Sequence, residues 1–207
     1  MDGIQRKIQR LLASRQTRDV FMQALRPRVA ELARVVDIPQ EHGDQYVMQF
    51  VVSYIQATPT LVTQLQKAAQ QRGLDHVVRP IVTLMRHCFR LTSPLLDHRA
   101  SLAALLCQTY LVQRLLEEVN DRVNQRTGTP LLDHDASLAN ALVHHVLGEP
   151  FANELDEWVE HHVGRWHNLH SKGERWIERH TLRNLVRIWP QWPCLSRQLG
   201  LASTAGR

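Results

Sequence analysis

The sequence is short of the features that mark most catalytic folds. Its nine glycines are scattered singly, so there is no glycine-rich phosphate loop and no dinucleotide fingerprint. There is no Gly-x-Ser-x-Gly nucleophile turn, no Cys-x-x-Cys, no His-Glu-x-x-His and no Glu-x-x-His. These gaps withdraw support from a kinase, a hydrolase, a dinucleotide enzyme and a di-iron carboxylate protein. No apolar run approaches the ~18 residues of a membrane-spanning helix, and the N-terminus, MDGIQRKIQRLLASRQ, lacks the apolar stretch of a secretion signal. The three cysteines (Cys88, Cys107 and Cys194) are odd in number and far apart, which fits reduced thiols and a cytoplasmic protein. Aromatics are scarce at 6%, and the five tryptophans, at 158, 166, 176, 189 and 192, are spread too widely for a base-stacking platform.

What is present is helical periodicity. Apolar residues recur at steps of three and four almost throughout, and no stretch alternates over strand length. The pattern predicts helices over Ile4–Leu12 and from a Thr17 cap to about Val36. Gln45–Ile55 is apolar on most sides and reads as a central helix. Thr58-Pro59 reads as a cap and first turn opening the next helix, which Gly73 closes. A further helix is predicted over Asp75–Phe89. A long seam of Leu102, Leu105, Thr109, Val112, Leu116, Val119 and Val123 follows. Shorter helices are expected up to Leu147, over 150–170 and over 173–188. The expected fold is all-α, an antiparallel helical bundle of about eight to nine helices. Residues 1–190 form a single domain and 191–207 an irregular C-terminal tail.

Charge is segregated beneath a net +5. Residues 1–36 hold eight Lys/Arg against three acids, and residues 164–207 hold eight against two. Residues 129–163 carry seven acids, five histidines and no Lys or Arg. In the C-terminal part, Arg175, Arg179, Arg183 and Arg187 fall at i, i+4, i+8 and i+12, with Trp176 and Trp189 on an adjoining apolar face. Such a ridge binds phosphate oxygens, anionic lipid or an acidic protein, or else neutralises the chain's own acidic segment. No helix-turn-helix, zinc finger or RNA-binding aromatic pair accompanies it. A protein partner or self-association is therefore favoured over nucleic acid, and the segment is expected to act as the contact surface of a non-catalytic binding, adaptor or chaperone-like protein.

One motif occurs twice: PLLDHRASLAALL at 94–106 returns as PLLDHDASLANAL at 130–142, identical at ten of thirteen positions. Asp97 and Asp133 each precede a helix, where a carboxylate accepts orphan backbone N–H groups. The second copy has more company. If 135–147 and 150–170 form a hairpin about Gly148-Glu149, Asp133, His134 and Asp135 come level with His161 and His162. Imidazoles and carboxylates converging between helices build metal sites. The alternative expectation is thus a metal-binding bundle or enzyme, holding a single divalent metal among these five residues. Without it, no cofactor is expected. Leu-Asp-His before a helix, followed by a Trp-bearing helix, is similar to the Asp-His region of the all-α chaperones that escort molybdoenzymes. The similarity spans about forty residues, 130–170, and the Glu-Pro usual before Asp-His in that family is replaced here by Leu131-Leu132. The resemblance implies a polypeptide partner.

Overall fold

The computed structural model describes residues 2–34, 36, 38–39, 41–89 and 101–166. These form seven helices: α1 (Asp2–Ala13), α2 (Arg15–Leu32), α3 (Gly43–Gln71), α4 (Asp75–Cys88), α5 (Ser101–Thr127), α6 (Ser137–Leu147) and α7 (Phe151–Trp166). No strand occurs among the described residues, and no helix among them is long and apolar enough to cross a membrane. The fold is the all-α bundle that the periodicity predicts. The helix expected over 173–188 and the tail lie outside the described residues.

The bundle is built around α5, which packs against all six other described helices. Its 27 residues give roughly 40 Å of axis at 1.5 Å per residue. All seven residues of the predicted seam are buried, but burial is wider than a seam. Every residue from Leu102 to Gln113 is buried, so this half of α5 has no solvent face. Gln45–Ile55, expected to be central, lies instead in a helix with one buried side. Val47, Val51, Tyr54 and Ile55 point inward, while Tyr46 is 54% exposed and Gln49 and Ser53 face solvent. Met48, Phe50 and Val52 sit half-buried on the flanks of that side, which is why the stretch reads as apolar all round.

Two predicted helix starts are corrected. The cap of α2 is Ser14, not Thr17: Ser14 Oγ accepts the backbone N–H of Thr17 (3.3 Å) and the Thr17 hydroxyl (2.9 Å). A single-residue link after α1 lets α2 begin at once, which leaves Thr17 buried in its first turn. Nor does Thr58-Pro59 open a helix, because α3 runs through it. The Thr58 hydroxyl donates back to the Tyr54 carbonyl (2.8 Å) and accepts Gln113 Nε2 from α5 (2.8 Å). Committed in this way, it cannot cap the N–H groups ahead of it. Gly73 does end α3, at φ +70°: its N–H donates to the Gln70 carbonyl (3.2 Å) and Leu74 N to the Ala69 carbonyl (2.8 Å), a Schellman pair whose left-handed residue suits glycine. Gly128 (φ +73°) turns the chain from α5 towards α6 as the Arg126–Pro130 turn requires.

Candidate functional site

Three charged residues of α5, Arg114, Glu117 and Glu118, converge on one point. Arg114, its side chain only 17% exposed, places Nε 2.9 Å from Asp156 Oδ1 of α7. Its terminal nitrogens meet Glu117 and, at 3.6 Å, Glu118. Asp156 Oδ1 also accepts the Tyr110 hydroxyl (2.8 Å), and its Oδ2 lies 3.5 Å from His144 Nε2 of α6. His144 Nε2 is in turn 2.9 Å from Asn153 Oδ1. On the other side, Glu117 accepts Ser137 Oγ (2.9 Å) and Asn140 Nδ2 (2.7 Å). Asn140 Oδ1 closes the chain by accepting the Tyr54 hydroxyl of α3 (2.7 Å). One continuous polar path therefore runs α3–α6–α5–α7.

Its electrostatics follow from one cation among three carboxylates. Burial opposes the Arg114 charge, but Asp156 and Glu117 outweigh it and hold the guanidinium pKa above its ordinary value. Burial, reinforced by the nearby Asp156 carboxylate, raises the Tyr110 pKa, and burial likewise raises that of Tyr54. Both phenols therefore stay protonated as donors. Asp156 Oδ1 carries two donors, and each Glu117 oxygen carries at least one. Carboxylates committed in this way act as a cross-brace between helices and not as general bases.

The second copy of the repeat sits at the edge of this path, held by a residue that the sequence pattern does not single out. Asn120 of α5 clamps Leu132 from both sides of its peptide: Nδ2 donates to the Leu132 carbonyl (3.0 Å) and Oδ1 accepts the Leu132 N–H (2.8 Å). Leu131 is buried and Leu132 packs on the core, as expected for the incoming chain. The cap position, however, is Ala136, which makes no side-chain bond, and the carboxylate that meets the helix start is Asp135 and not Asp133. α6 starts at Ser137, and Asp135 Oδ1 accepts the Ser137 N–H (2.9 Å), a bond that lowers the carboxyl's pKa. Asp133 and His134 stand exposed in the preceding turn.

His144 and Asn153 face each other across the α6–α7 turn, in the register expected for that hairpin. His162 is half-buried, and its ring stacks on Trp158 at a 4.0 Å centroid distance. Its Nδ1–H donates to the Trp158 carbonyl (2.7 Å), so that Nδ1 carries a proton and the ring is held in place. His161 is exposed and meets the edge of His162. Among the described residues, no three His, Cys, Asp or Glu side chains stand close enough to share a metal ion. Cys88 and Cys107 are buried, and burial pushes the Cys88 thiol up to about 12 and the Cys107 thiol higher still, which keeps both unreactive at neutral pH. Arg175, Trp176, Arg179, Arg183, Arg187 and Trp189 lie outside the described residues, as do Asp97, His98 and Cys194. Comparison of the chain with protein-family models, curated proteins and solved structures finds no match.

Proposed function

We propose that the chain is a non-catalytic binding protein, an adaptor or chaperone-like bundle that contacts another polypeptide through its basic Arg/Trp segment, 175–189. The observation that carries this reading is where the acids of 129–163 are spent. That segment is the obvious internal partner for the arginine ridge. Yet Asp156 is taken by Arg114 and Tyr110 of α5, and Asp135 by the backbone of α6. Asp156 thus already has its cation, while Asp133, Glu149, Glu157 and Glu160 are exposed; the Asp156–Arg114 pairing is what supports an external carboxylate for the ridge.

The test is the triple variant Arg179→Glu, Arg183→Glu, Arg187→Glu. Helical circular dichroism and thermal stability are expected to stay unchanged while association is lost, whether measured as self-association by sedimentation or as capture of a cross-linked partner. Unfolding of the triple variant would instead make the ridge an internal salt-bridge surface and end the proposal. Elemental analysis of untagged protein purified without chelator covers the metal alternative. Stoichiometric zinc, iron or manganese that is lost in His134→Ala would replace a binding protein with a metalloprotein.

A further inference from the structure

We draw no further inference here: the strongest candidate, the uncharged solvent-facing strip of Tyr46, Gln49, Ser53, Ala57, Thr60 and Gln64 along α3, carries nothing, because nothing in the structure shows what covers it.

Discussion

The two longest helices, α3 and α5, have 29 and 27 residues, and the more apolar of them is not the central one. α3 buries one side and leaves Tyr46 in solvent, whereas α5 is enclosed from Leu102 to Gln113 and touches every other described helix. The difference lies in what each does with its polar groups. α5 carries Thr109, Gln113 and Arg114 into the interior and supplies partners: the Leu105 carbonyl for the Thr109 hydroxyl (2.7 Å), Thr58 for the Gln113 amide, and three carboxylates for Arg114. A polar group is expensive to bury only when it is left unpaired. The enclosed half of α5, Leu102–Gln113, is largely apolar, and the polar groups it buries are paired in part: Thr109 within the helix and Gln113 Nε2 on Thr58, while Gln113 Oε1 has no partner among the described residues.

The largest test of that contrast is alkaline. α5 and its neighbour α4 bury Cys107 and Cys88, and α5 and α3 bury Tyr110 and Tyr54. An unfolded thiol ionises near pH 9, while burial pushes folded Cys88 up to about 12 and Cys107 further. The folded chain thus holds protons that the unfolded chain has released. Stability is fully present below about pH 9 and falls as pH climbs towards 12, at about 1.4 kcal/mol per unit for each such group. By pH 11 Cys88 alone contributes on the order of 3 kcal/mol of destabilisation, and Cys107 and the two phenols add to it. Urea denaturation from pH 8 to 11 measures the slope, which Cys88→Ala and Cys107→Ala should each reduce. A flat profile would mean that water reaches these thiols and that the α4–α5 interior is not closed.

Next in size is the brace itself. Arg114→Ala leaves Asp156, Glu117 and Glu118 facing one another without their shared cation and should cost about 3–5 kcal/mol, as for a broken, largely buried pair. Arg122 sits two turns on in the same helix, 31% exposed and 3.7 Å from Glu118. Its replacement by Ala should cost no more than about 1 kcal/mol. Urea midpoints of the two variants compare them directly. Similar losses would show that Arg114 is solvated in practice and that the path from α3 to α7 is not a unit.

The fold was legible because period and burial agree along the chain: the seam from Leu102 to Val123, the Gly73 stop and the α6–α7 turn all appear where the pattern places them. The site was less legible, and the repeat explains why. Its Asp-His pair drew attention because it recurs, yet the structure gives work to positions where the copies differ. Asp135, which accepts the Ser137 N–H at the start of α6, is matched by Arg99 in the first copy, and Asn140, which joins Tyr54 to Glu117, is matched by Ala104. Identity between copies marked a shared way of entering a helix, and the third-dimension partners of Asn140 and Asn120 have no signature in sequence spacing. Pro59 misled for a related reason. A Thr-Pro pair is a sound helix start locally, and only the hydroxyl's tertiary partner, Gln113, shows that the helix continues.

Tyr54→Phe probes a single link of the same path from the α3 side. The variant keeps the ring packed and strands Asn140 Oδ1 in a buried setting, for an expected loss of about 1–2 kcal/mol. Combined with Asn140→Ala, it should show a coupling of about 1 kcal/mol in a double-mutant cycle. Additive losses would mean that the two helices meet there by packing alone.

The smallest expected effect lies on the solvent side of α3 and α6. Tyr46 and Leu138, at 54% and 72% exposed, are the large apolar side chains that the described residues leave most open. They sit on different helices, and isolated exposed apolar groups are ordinary on a soluble surface. Tyr46→Ser and Leu138→Ser should each shift stability by no more than about 0.5 kcal/mol. Neither should alter association measured by sedimentation, since the proposed contact is the basic segment, 175–189. A variant that folds normally but loses association would place the partner on that residue's face. α3 would then be the one-sided helix because its open side is a contact surface.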